Sequence, residues 1–111
     1  MKRISDEAHV AIEFPDKVYM GSFSRASRYE VSVEDGGLFL KLARETAPKR
    51  RFDMHLHHHL LVDILTDWAA ALKDDRSLTP QDRNDLREAV DALSAALGDG
   101  AKGPGGPGER A

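Results

Sequence analysis

The feature that most restricts this chain is an alternation of apolar and polar residues that runs with period two through its first half. Alternation of this kind sends successive side chains to opposite faces of an extended strand, so every segment that carries it has one face to bury. Ala8, Val10, Ile12 and Phe14 share a face, with His9, Ala11 and Glu13 on the other. Pro15 and Asp16 interrupt the run in a form suited to a tight turn, because proline presets φ at the first central position and aspartate is tolerated at the second. "AIEFPDKVYMGSF" therefore predicts a hairpin of strands near 8–14 and 17–23.

A polar "SRAS" follows, and then "RYEVSV", in which Tyr29, Val31 and Val33 point away from Arg28, Glu30 and Ser32. "EDGG" supplies residues that accept positive φ, and "LFLKLA" returns with Leu38, Leu40 and Leu42 on one face. These segments predict strands near 28–34 and 38–43. Four consecutive antiparallel strands make a meander with one apolar face to cover.

The second half changes to a helical period. Met54, Leu61, Leu65, Trp68 and Leu72 lie within about 40° of one line at helical pitch, which predicts a helix near 53–74 with Asp53 as its N-cap. Thr79, Pro80 and Asp82 mark the start of another near 80–97, where Leu86, Val90, Leu93 and Leu97 recur on one stripe ahead of Gly98. "GDGAKGPGGPGERA" has no periodicity and little to bury, so 99–111 is expected to be a disordered tail. The expected fold is α+β: a four-stranded antiparallel meander covered on one face by a C-terminal two-helix hairpin, in a single domain over 1–98. The 111 residues support one modest core.

Composition narrows the function classes. The chain has no cysteine, which removes disulfides, thiolate zinc sites and cysteine nucleophiles together. Asp6 and Glu7 stand where a secretory signal needs apolar residues, and no stretch reaches the roughly eighteen apolar residues of a membrane span. A cytoplasmic protein with no membrane partner is expected. The net charge of −3 hides an asymmetry: residues 1–52 carry ten Lys or Arg against eight acids, and residues 53–97 carry four against nine. That contrast favours head-to-tail self-association or a basic partner, and it argues against the second half resting on nucleic acid.

Four of the five histidines fall in "MHLHHHLLVDIL". On a helix, His57 and His58 lie in or beside the apolar stripe and read as packing or interface residues, whereas His55 and His59 stand one turn apart on the outer surface. That spacing lets two imidazoles share one metal such as zinc, but a third ligand has to come from elsewhere. The cofactor expectation is therefore none, with a divalent metal at His55 and His59 as the alternative.

A basic run, Lys49, Arg50 and Arg51 with Arg44 just before it, is a candidate anion site for a phosphate, a nucleic acid or an acidic protein surface. Tyr19, Phe23 and Phe39 are candidates for a sheet face left open to another protein. No P-loop, dinucleotide fingerprint, nucleophile elbow or EF-hand loop is present. The expected function is a small non-enzymatic binding module, an accessory, assembly or regulatory protein. Its partner is another protein or its own copy in a homo-oligomer, engaged through Tyr19, Phe23, Phe39, Arg44, Lys49, Arg50 and Arg51. The alternatives are metal binding through the histidines and nucleic-acid or phosphate binding at residues 44–51.

Overall fold

A two-residue turn at Asp35 and Gly36 organises the main sheet. Both residues take positive φ, 51° and 72°, the left-handed pair that a tight hairpin with the natural strand twist requires. They join β4 (Ser27–Glu34) to β5 (Gly37–Arg44) in unbroken antiparallel register from Ser27↔Arg44 to Glu34↔Gly37. β6 (Arg50–His57) pairs along the whole of the other edge of β5, and the two-residue β1 (Lys2–Arg3) pairs with Tyr29 and Arg28 on the outer edge of β4. The resulting four-stranded sheet has the order β1-β4-β5-β6, while β2 (Ala8–Phe14) and β3 (Lys17–Phe23) form a two-stranded hairpin of their own. Two helices follow, α1 (His58–Leu72) and α2 (Pro80–Ala101). The computed structural model describes residues 1–101, with side chains through residue 98.

The fold is α+β, with a four-stranded antiparallel sheet and two helices. The membership of that sheet differs from a run of four consecutive strands: β2 and β3 leave it, and β1 and β6 join it. The reason lies in residues 50–57. A helix starting at Asp53 would leave the second edge of β5 with bare N–H and C=O groups beside Leu38, Leu40 and Leu42. As a strand, the segment satisfies that edge and sets Leu56, Met54 and Phe52 opposite those three leucines. Tyr29, Val31 and Val33 complete the same face from β4. The opposite face carries Glu30, Lys41 and Asp53 in one row, and Ser32, Phe39 and His55 in the next.

The core cluster is Ile4, Phe23 and Leu42, with Ala8, Val10, Tyr29, Leu40 and Phe52 packed against it. The β2–β3 hairpin and Ile4 thus cover the Leu42 end of the apolar face, a task the sequence pattern assigns to the helices. No helix side chain belongs to this cluster, and among the described residues none on either helix is buried.

The chain divides into two compact units, Met1–Ala69 and the segment from Ala70 onward. The first holds the six strands and most of α1. The second holds the end of α1, a short linker and α2, and its linker is closed by local hydrogen bonds. The Asp75 carboxylate accepts from the Ser77 hydroxyl at 2.8 Å, the Ser77 N–H at 3.0 Å and the Leu78 N–H at 3.1 Å. Arg83 donates to the Asp75 carbonyl at 2.7 Å and to the Leu72 carbonyl at 3.5 Å, tying the start of α2 to the end of α1 and the linker. Thr79 and Asp82 form a reciprocal cap at the start of α2: the Asp82 N–H donates to Thr79 Oγ1 at 3.0 Å and the Thr79 N–H to Asp82 Oδ2 at 3.1 Å. Among the described residues no helix is long and apolar enough to cross a membrane. Apart from the backbone of 99–101, which continues α2, the tail expected at 99–111 lies outside the described residues.

Candidate functional site

Cross-strand pairing in the β2–β3 hairpin puts Ala8 with Phe23, Val10 with Gly21 and Ile12 with Tyr19 on one face. Phe23, only 2% exposed, fixes that face to the core. Gly21 has no side chain there, and the space is taken by Arg50 from the start of β6. A Cβ at Gly21 would stand 3.4 Å from Arg50 Nη1 and 3.7 Å from its Cδ, so the arginine lies along the strand where any larger residue would meet it.

Around this contact the structure forms a concavity of about 420 Å³, within the range that small ligands and single side chains of a partner occupy. Val10, Ile12, Phe23 and Phe52 give it an apolar lining. Tyr19, 55% exposed, and Met20, 79% exposed, stand at its mouth. The Tyr19 ring is held by Phe14, edge-on at 5.9 Å between centroids, and by the Lys17 ammonium 5.4 Å from its centre. Lys49, Arg50 and Arg51 supply the remaining boundary.

The electrostatics are one-sided. Among the described residues no carboxylate lines the concavity. Arg51 Nε donates to Asp53 Oδ1 at 3.1 Å in an exposed pair, which screens part of one charge. Among the described residues Lys49 and Arg50 have no ion-pair partner, although Arg50 is half-buried. Among the described residues the lining offers no imidazole, thiol or carboxylate and one hydroxyl, that of Tyr19. Apolar walls beside unneutralised cations suit recognition of an anionic group attached to an apolar one.

Five of the seven residues expected to bind a partner meet in this place: Tyr19, Phe23, Lys49, Arg50 and Arg51. Phe23 does so as part of the buried floor, not as a free surface. Phe39 and Arg44 stand apart. Phe39 projects from the polar face of the four-stranded sheet, with the His55 ring 5.6 Å away and Lys41 Nζ 5.4 Å from its centre. Arg44 donates to Thr46 Oγ1 at 3.3 Å and to the Ala47 carbonyl at 3.4 Å, holding the β5–β6 connection. The single open sheet face expected to unite Tyr19, Phe23 and Phe39 is not formed, because β3 belongs to the separate hairpin. Val10, Ile12, Gly21 and Phe52 were not singled out by sequence. The available signal was a glycine inside an apolar strand, which marks a close approach by another group.

The histidines are redistributed by the strand assignment of β6. His55 and His57 sit at alternate strand positions with ring centroids 4.7 Å apart, and His55 Nε2 donates to the Glu34 carbonyl at 2.9 Å. His58 and His59 open α1 with rings 4.1 Å apart, and His57 and His58 are both exposed rather than set in an apolar stripe. The one-turn helical spacing that would pair His55 with His59 is therefore absent. Among the described residues no three His, Asp or Glu side chains gather as a metal site would require.

Comparison of the chain with protein-family models, with curated proteins and with solved structures finds no match.

Proposed function

We propose that this chain is a small non-enzymatic binding module, an accessory, assembly or regulatory protein of the cytoplasm, that holds a partner protein in the concavity between the β2–β3 hairpin and β6. The observation that carries the reading is Arg50: a half-buried guanidinium laid over Gly21, facing an apolar lining, with no carboxylate paired to it among the described residues. A partly desolvated cation without an anion is an unfavourable arrangement for the free protein. A partner that brings a carboxylate next to an apolar side chain relieves it and fills the concavity at once. Lys49 and Arg51 extend the same preference for negative charge.

Fluorescence anisotropy with a labelled peptide rich in glutamate and leucine tests this, with a lysine and leucine peptide and a single-stranded oligonucleotide as competitors of different chemistry. The acidic peptide is expected to bind and the basic one to fail. Arg50→Ala should weaken binding by about ten-fold or more, as expected for loss of a charge-assisted contact, in a chain that circular dichroism shows to be folded. Equal binding of both peptides, binding of the oligonucleotide alone, or indifference to Arg50→Ala would each defeat the proposal.

A further inference from the structure

The concavity adjoins a second feature that specifies how a partner would lie. β6 is an edge strand: it pairs with β5 on one side and ends the sheet on the other. Its eight residues keep continuous register with β5, contain no proline, and take part in no further backbone hydrogen bond among the described residues. An edge of that length, unprotected by a bulge or a proline, is a template for another extended chain. The outer edge of β4 is also unpaired from Glu30 to Glu34, past the short β1, but Glu30 and Glu34 make it unsuited to an acidic segment. Arg50 and Arg51 give the β6 edge the opposite sign.

We infer that the partner segment adds to β6 as a fifth, antiparallel strand, an inference that rests on the binding-module reading. The register then dictates its sequence. Residues opposite each other in a ladder share a face. Opposite Arg50 and Arg51 the partner presents two adjacent acidic residues, one to each face. Opposite Phe52 and Met54 it presents apolar residues, which enter or border the concavity, and opposite Asp53 a neutral polar residue. Read along the partner in the antiparallel sense, the motif is apolar, polar, apolar, acidic, acidic. Antiparallel addition continues the pattern of the existing sheet and is the more stable pairing per residue.

A labelled nonapeptide with the core Leu-Thr-Leu-Glu-Glu is the probe, measured by anisotropy against the full chain. A scrambled peptide of the same composition and two backbone-methylated versions, each carrying N-methyl groups on a different alternate set of residues, are measured beside it. In a strand, one set of amides faces β6 and the other faces solvent. One methylated version should therefore lose about ten-fold or more in affinity, and the other should bind as the parent does, because only the first removes ladder hydrogen bonds. The scrambled peptide should also bind more weakly. If both methylated versions and the scrambled peptide bind like the parent, edge addition is wrong, while Arg50-dependent binding still upholds the binding module. If no acidic peptide binds a chain shown to be folded by circular dichroism, both fall together.

Discussion

At the scale of single residues, two glycines, one on β3 and one on β5, make opposite demands. A Cβ on Gly37 would collide with the Leu56 carbonyl oxygen and lie 3.1 Å from its carbonyl carbon and from the Cα of His57, its partner in the β5–β6 ladder. Gly37→Ala is expected to destabilise the protein by about 1–3 kcal/mol through overpacking. A Cβ on Gly21 meets the flexible end of Arg50 at 3.4 Å, an ordinary contact. Gly21→Ala should instead stabilise the strand by about 0.5–1 kcal/mol, since glycine loses more freedom on folding than alanine does. Urea midpoints of the two variants check both signs. The same measurement separates the core from its surroundings. Phe23→Ala should cost about 3–5 kcal/mol, whereas Val33→Ala, at a position 83% exposed, should change stability by no more than about 0.5 kcal/mol.

At the scale of elements, the assignment of β6 as a strand has a direct solution signature. Backbone amides of Arg50–His57 that face β5 should exchange slowly with solvent while those on the outer edge exchange fast, an alternation that a helix would not produce. Uniform protection across the segment would contradict the strand. The linker between α1 and α2 responds to acid. Hydrogen bonds from the Ser77 hydroxyl above all, then from the Leu78 and Ser77 N–H groups, with the Arg83 charge adding to them, hold the Asp75 carboxyl below its ordinary range. A group whose folded value is depressed contributes stability that is present above the unfolded value and lost as pH falls through the folded one. The linker should therefore keep its order at neutral pH and lose it below about pH 4, the usual aspartate range. Asp75→Asn should remove that acid sensitivity, as read from exchange of the Ser77 and Leu78 amides across the titration.

At the scale of the whole molecule, the buried apolar residues among those described are Ile4, Phe23, Leu42 and Ala43. A core that small leaves little margin, so occupation of the concavity should stabilise the fold visibly. At a hundred times its dissociation constant, a ligand that binds the native state alone adds about 2.7 kcal/mol. The acidic peptide should accordingly raise the melting temperature, and the gain should shrink with added salt as the cations at Lys49, Arg50 and Arg51 are screened. A melting temperature indifferent to the peptide would contradict native-state binding.

Local chemistry was enough to mark the turns and the strands they join. Proline at 15 restricts φ and the Asp35–Gly36 pair accepts positive φ whatever surrounds them, and alternation from Ala8 to Phe14 and from Arg28 to Val33 leaves each strand one face to bury. The candidate site was legible as two lists, aromatic residues on β3 and basic residues near 50, because side-chain chemistry can be read without coordinates. What the sequence could not settle was which edge pairs with which. Residues 52–56 satisfy a helical stripe through Met54 and a strand alternation through Phe52, Met54 and Leu56, and the choice rests on the unpaired edge of β5, a nonlocal demand. The same tertiary decision moved His55 off a helix, released β2 and β3 from the main sheet, and laid Arg50 across Gly21. Short-range sterics act within a few residues and are written in the chain, whereas backbone hydrogen bonding and burial are satisfied only when distant segments meet.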